Sequence, residues 1–214
     1  MKLHTYYRSS ASYRVRIALN LKGLAAEEHY VHLSKDGGEQ FGAAFDRLNP
    51  QHLLPVLEDE GLVLQQSLAI IEYLDETRPG VPLLPADARG RARVRALSQA
   101  IAADIHPLNN LRVLKYLGEE LQVAPDRKNA WYHHWVALGL AALERQLAGH
   151  PATGRFCHGD TPTMADCCLA PQLYNARRFE CDLSAYPTLL AIDAHCAQLP
   201  AFANARPEAQ PDAQ

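Results

Sequence analysis

Along the first eighty residues the spacing of apolar positions changes period several times. A mostly apolar run from Lys2 to Tyr7 gives way to a Ser-opened stretch, Ser10 to Leu21, with helical spacing and a closing Gly23, and then to the alternating Tyr30-Val31-His32-Leu33. That order predicts strand, helix, strand. A helix or loop through Phe41 to Leu48 leads to Asn49-Pro50, then to Leu54-Pro55-Val56-Leu57, a turn at Asp59-Glu60-Gly61, Leu62-Val63-Leu64, and a helical stretch from Ser67 to Glu76. Two short runs split by a Gly-containing turn pair antiparallel, whereas the earlier pair, with a helix between them, runs parallel. The sum is a mixed four-stranded sheet. Three prolines within seven residues, Pro79, Pro82 and Pro85, then rule out a continuous helix and predict an extended connector. From Arg89 onward Ala and Leu recur at helical spacing, through Val94, Leu97, Ile101, Ile105 and Leu108, then Ala130 to Leu147 and Met164 to Tyr174, without a strand pattern. The last stretch, 206–214, is polar and broken by prolines, so it is expected to lie over the surface or to be disordered.

The fold class is therefore α/β plus all-α. Residues 1–80 form a domain of thioredoxin-like plan, 81–88 a linker, and 89–214 a helical bundle. With 48% apolar and 21% charged residues among 214, the chain has the material to bury such cores. A net charge of −3, from 21 basic and 24 acidic residues, lacks the basic excess that a nucleic-acid partner or an anionic membrane leaves in composition. Neither is expected as a partner. The apolar runs are only a few residues long and the N-terminus carries no signal-like core, so a cytoplasmic location is expected. The five cysteines, all between Cys157 and Cys196 with no Cys-x-x-Cys, read as reduced thiols filling the core.

Three loops could carry chemistry. In Arg8-Ser9-Ser10-Ala11-Ser12-Tyr13-Arg14, small hydroxylated residues open the first helix, whose free N–H groups and partial positive charge favour a bound anion by about 0.3–1 kcal/mol, up to about 2 when partly buried. Ser9 or Ser10 could equally be a plain N-cap. Leu54-Pro55 before a strand could be cis, which would turn the backbone of residue 54 outward as a docking edge for a peptide-like ligand; an ordinary trans proline is the alternative. Gln66-Ser67 opens the next helix, where an amide and a hydroxyl beside free N–H groups suit a carboxylate, or simply cap.

Taken together, these stretches resemble the glutathione transferase superfamily. In it the first-helix loop meets the glutathione thiol, the residue before a cis-proline pairs with the cysteinyl backbone, and a Gln/Glu-Ser pair holds the γ-glutamyl group. More narrowly, the run from Ser9 to Gly23 looks like the zeta class, whose defining activity is maleylacetoacetate isomerisation, and so do Gln66 to Leu74, Asp104 to Leu114 and Asn175 to Phe179. The resemblance implies a glutathione cofactor, a small dicarboxylate substrate and a homodimer. Glutathione contacts carried over residue by residue fall on Ser9, Ser10, Gln40, Leu54, Pro55, Gln66, Ser67, His106, Asn110 and Arg112, with Ser9 and Ser10 at the catalytic thiol. Arg8, Arg112 and Arg178 are expected to take the substrate carboxylates, since guanidinium and carboxylate pair bidentately.

Two positions depart from the pattern. Ala11 stands where eukaryotic zeta proteins commonly carry cysteine, so covalent chemistry there is excluded, and His106 replaces a glutamine; it could touch glutathione or substrate, cap a helix or pack in the core. The role given to Ser9 is quantitatively reasonable. A thiol with pKa about 8.5 is only about 3% ionised at pH 7, and lowering it by two units takes roughly 2.7 kcal/mol. A helix start falls short of that, but a hydrogen bond to a charged group adds about 1.5–3 kcal/mol. Other features read as structural. Thr163 and Asp166 form a capping box, Arg89, Arg91, Arg93 and Arg95 a solvated helix face, and the adjacent His133-His134 diverge too far on a helix to bind a metal. No metal site is expected. Maleylpyruvate isomerisation, a transferase or α-haloacid dehalogenase activity, and a non-catalytic binding module are the alternatives the motifs leave open.

Overall fold

A computed structural model of the chain describes residues 1–213; Gln214, which the expectation for the tail includes, lies outside them. The chain divides into two compact units: Met1–Leu84 joined by the tail from Ala197 onward, and Pro85–Cys196. This differs from a helical domain running from residue 89 to the end.

The first unit is built on strands β1 (Lys2–Thr5), β2 (Glu27–Tyr30), β3 (Val56–Asp59) and β4 (Leu62–Gln65), in the order β2-β1-β3-β4. β1 and β2 are parallel, with Lys2 opposite Glu27, and the other two pairings are antiparallel, as the connections predict. The hairpin between β3 and β4 turns on Glu60 and Gly61, both at positive φ (50° and 84°), which is the two-residue geometry that matches strand twist and that glycine adopts without cost. Helices α1 (Ser10–Leu21) and α3 (Ser67–Thr77) pack against each other, with the short α2 (Ala43–Asp46) between them in sequence. α1 is unusual for a surface helix. Nine of its twelve residues are buried, Arg14 and Arg16 among them. The expected linker is partly core: Leu83 and Leu84 are buried, their N–H groups donate to Asp75 of α3, and the same carboxylate pairs with Lys22 at 3.1 Å.

The second unit comprises α4 (Ala88–Gln99), α5 (Leu111–Glu119), α6 (Pro125–Leu147), α7 (Met164–Arg178) and α8 (Pro187–Ala197, whose last residue belongs to the tail); α9 (Pro200–Ala203) lies in the tail. α7 is the central helix, with eleven of fifteen residues buried and the Thr163/Asp166 capping box at its start. After α4 the helix widens to a π-type stretch at Ala100–Ile105 and then tightens to a 3₁₀ turn at His106–Asn109. Gly139 of α6 permits that stretch to sit close, since a Cβ there would fall 2.3 Å from Ile105 Cγ1. Arg93 corrects the expectation of a solvated arginine face: its guanidinium is tied to the Cys157 carbonyl at 2.6 Å and Thr153 Oγ1 at 2.8 Å. Burial pushes the Cys157 and Cys167 thiols well up from their ordinary range, which keeps them inert.

Candidate active site

The strand registers bring three loops to one end of the sheet. His4 of β1 lies opposite Val56 of β3, and Val56 opposite Gln65 of β4. The C-terminal end of β1, the start of β3 and the end of β4 therefore share one edge, and the chain beyond each carries Ser9, Leu54-Pro55 and Gln66-Ser67.

Ser9 is the N-cap of α1, and its Oγ accepts from the Ser12 N–H at 3.2 Å. Capping occupies one lone pair and leaves the O–H as a donor, so the two readings of this residue are compatible. No acidic residue stands in the first turn of α1, and its positive end is not neutralised from within the helix. Ser10 is buried at the first helical position. Tyr6, edge-on to Tyr7 with ring centroids 4.7 Å apart, is pushed up to about 12, chiefly by burial, and stays neutral. Arg8 is exposed, its guanidinium 5.0 Å from the Tyr7 ring centroid.

The Leu54-Pro55 bond is cis. Leu54 lies just outside the ladder, while its side chain packs with Tyr6, Tyr7, Phe45 and Val56, beneath the segment that leads to Ser9. Gln66 caps α3 with φ +70°, a left-handed conformation that costs a non-glycine residue about 1–3 kcal/mol and that collects at ligand clamps. Its side chain is exposed, with Nε2 donating to Gln51 Oε1 at 3.2 Å. Behind it, Ser67 is buried and accepts from Nη1 of Arg14 at 3.2 Å. The sequence motif alone does not single out Arg14. It is 2% exposed, and it adds a buried cation to the start of α3, whose first turn is also free of acidic residues. The signal for it was a cation embedded in the otherwise apolar Val15, Ile17, Ala18 and Leu19. Gln40 points inward: it is buried, and Nε2 donates to the Leu33 carbonyl at 3.3 Å.

In the second unit Arg112 follows His106 by six residues, a separation within two turns on a continuous helix. The structure breaks that helix: His106 opens the 3₁₀ turn, and Asn110 is the N-cap of α5, its Oδ1 accepting from the Arg112 N–H at 3.1 Å. Arg112 is exposed. Arg177 and Arg178 separate in role. Arg177 pairs with Asp193 at 2.7 Å, whereas Arg178 lies 5.0 Å from the Phe179 ring centroid, and Phe179 is stacked on Tyr132 at 3.8 Å. Among the described residues no carboxylate forms a salt bridge with Arg8, Arg112 or Arg178, and no group of three His, Cys, Asp or Glu could hold a metal. Among the described residues no helix is long and apolar enough to cross a membrane.

Comparison with known proteins gives this geometry a family. The model of the glutathione S-transferase N-terminal domain matches residues 3–82, and that of the C-terminal domain residues 136–203. Over 211 residues the chain is 56% identical to a Vibrio cholerae serotype O1 protein described as a probable maleylacetoacetate isomerase, covering 99% of this chain and 97% of that one. Two solved structures superpose over the whole of both chains. One is the holo structure of a maleylpyruvate isomerase, a bacterial glutathione S-transferase of the zeta class, at TM-score 0.96 and 50% identity. The other is maleylacetoacetate isomerase from Methylobacterium extorquens AM1 with bound malonate and glutathione, at TM-score 0.95 and 44% identity. The chain belongs to the glutathione S-transferase family, in its zeta class.

Proposed function

We propose that this chain is a glutathione-dependent isomerase that converts maleylacetoacetate to fumarylacetoacetate. The observation that carries the reading is the cluster at the end of the sheet, whose parts fit glutathione piece by piece. An un-neutralised helix start with a hydroxyl donor at Ser9 suits the thiol, the backbone of Leu54 beside its cis proline suits the cysteinyl amide, and Gln66-Ser67 over the buried Arg14 suits the γ-glutamyl carboxylate. When bound, glutathione supplies a thiolate that adds to the activated double bond, permits rotation and is eliminated, leaving the tripeptide unchanged. Ser9 donates its O–H to the sulfur and so favours the ionised form, with the N–H groups of α1 adding to the same end. Arg178 and Arg112 offer guanidinium groups for the carboxylates and for the charge that develops on the conjugated carbonyl. Ser10, Gln40, His106 and Asn110 remain in this reading as parts of the glutathione and substrate contacts, and Arg8 as a carboxylate contact.

The test is loss of maleylacetoacetate absorbance with and without added glutathione. Turnover that needs the tripeptide supports the reading; equal rates without it defeat it. Maleylpyruvate is the second substrate to compare, because the relative with TM-score 0.96 acts on it. We further propose a role in tyrosine and phenylalanine breakdown, a homodimer, and a cytoplasmic location. Leu62 and Val63, 49% and 41% exposed on the edge strand β4, leave apolar surface on both faces of that edge for a second copy to cover. The five cysteines are all free, which suits a reducing compartment.

A further inference from the structure

The polar tail is not loose. Its Gln210 Nε2 donates to the carbonyls of Asn204 and Arg206 at 2.9 and 2.8 Å, Asn20 of α1 donates to the Ala201 carbonyl at 2.9 Å, and Ala205 and Pro207 are buried. Two tail residues reach the segment that leads into Ser9. Asp212 Oδ2 accepts the Tyr7 N–H at 3.0 Å, and Ala213 packs on the cluster formed by Tyr6, Tyr7 and Leu54. Arg16 closes the arrangement from the other side. Its Nη2 donates to the Tyr7 carbonyl at 3.0 Å and to the Ala205 carbonyl at 3.1 Å, its Nε also to Ala205, and its Nη1 to Thr5 Oγ1 and the Tyr6 carbonyl. This guanidinium is 3% exposed and its hydrogen bonds run to carbonyls and a hydroxyl; burial lowers its pKa to about 10, which still leaves it charged at neutral pH.

We propose that Asp212 and Arg16 are positioning residues for Ser9: they clamp the Tyr7 residue by its N–H and its carbonyl, so that the C-terminal tail fixes the loop that presents the thiol-binding hydroxyl. The proposal rests on the glutathione reading above. Ser9 is tied to α1 on one side, its Oγ accepting from Ser12 N–H at 3.2 Å and its carbonyl from Tyr13 N–H at 2.8 Å; on the strand side its N–H donates to the Tyr6 carbonyl at 3.0 Å, and the clamp on Tyr7 fixes that side of the loop. Displacing the hydroxyl by a fraction of an ångström weakens a hydrogen bond to the thiolate while leaving the rest of the tripeptide's contacts in place.

The experiment compares Asp212→Ala, a chain ending at Gln210, Asp212→Asn and Asn20→Ala in the full-length protein. Asn20→Ala loosens the same tail at Ala201 without touching Tyr7. Two measurements are made: amide hydrogen exchange at Tyr7, Arg8 and Ser9 without ligand, and the thiolate absorbance of bound glutathione against pH. Asp212→Ala and the shortened chain are expected to lose about tenfold in protection at Tyr7 and to lower the thiolate fraction at pH 7 by roughly threefold to tenfold, the size of one hydrogen bond. Asp212→Asn, which keeps an acceptor for the Tyr7 N–H, restores most of both, and Asn20→Ala lowers the melting temperature without moving the titration. If Asp212→Ala behaves as Asn20→Ala does, destabilised but with unaltered exchange and titration, the tail is only structural and the clamp is refuted. Should the unaltered chain bind no glutathione in a calorimetric titration, the isomerase reading falls, and the exchange measurement alone then decides for or against the clamp.

Discussion

Under the proposed function Ser9 does two jobs with one oxygen, and they separate by substitution. Its lone pair caps α1 and its proton is left for the sulfur. Replacing an N-cap serine by alanine costs about 0.5–2 kcal/mol, whereas glycine in its place costs only a few tenths. Ser9→Gly is thus expected to keep urea stability within about 0.5 kcal/mol while lowering kcat by roughly 10–10³-fold, and Ser9→Ala to lose both. Stopped-flow rates alongside urea titration check this; an unchanged rate at neutral pH in either variant takes Ser9 out of the mechanism. Ser9, Leu54-Pro55 and Gln66-Ser67 were readable because loop openings and X-Pro bonds announce themselves in sequence. Arg14 and Arg16 were not. An arginine in a helical run looks like a surface residue until its acceptors, here Ser67 and a set of carbonyls from distant chain positions, are known.

Helices with a strong cap or period were placed closely, as α1 and α3 illustrate, and errors fell where neighbours rather than local pattern decide. β2 occupies Glu27–Tyr30 rather than Tyr30–Leu33 because it is an exposed edge strand whose position is set by pairing with β1, not by burial of alternate residues. β3 starts after the cis proline, two residues later than its apolar run. The capping box was legible, and the structure raises its importance. Asp166, fully buried, accepts from Thr163 N and Oγ1 at 2.7 and 2.8 Å and from Cys157 N at 2.8 Å. Asp166→Ala strands the Cys157 N–H as well as removing the cap, so it should cost roughly 3–5 kcal/mol against about 1 for Thr163→Ala, with the thiol titration untouched in both. A pH effect belongs to the β1–β3 ladder. The hydrogen bond from His4, 2.6 Å away, holds the Glu58 carboxyl below its ordinary value. Its stabilising contribution is therefore complete above the unfolded value near 4.3 and disappears as pH falls through the lower folded value. The stability gap between wild type and Glu58→Gln, under about 1 kcal/mol for a pair whose carboxyl stays partly open to solvent, should shrink between about pH 5 and pH 3 in denaturant titrations.

The connector prolines marked where the sheet-bearing unit stops, but nothing in the sequence marked the return of the chain to that unit at Ala197, because the tail is held by carbonyls, one carboxylate and scattered apolar side chains such as Phe202 rather than by a periodic apolar stripe. Under the proposed function each unit nonetheless carries its own part of the chemistry. The first holds the groups suited to the tripeptide, around α1 and α3; the second holds Arg178, 5.0 Å from the Phe179 ring centroid and with no carboxylate forming a salt bridge to it among the described residues. Loss of a bidentate guanidinium–carboxylate pair is worth about 1.5–3 kcal/mol, so Arg178→Ala is expected to raise KM for the dicarboxylate roughly 10–100-fold and to leave the glutathione Kd within twofold. Gln66→Ala reverses the pattern, weakening glutathione roughly fivefold through the lost amide contact while the dicarboxylate KM at saturating glutathione holds. Calorimetry for the tripeptide and steady-state kinetics for the substrate measure the two independently. A glutathione Kd that rises with Arg178→Ala as much as the substrate KM does would put this arginine on the tripeptide, and the division of binding between the two units would have to be abandoned.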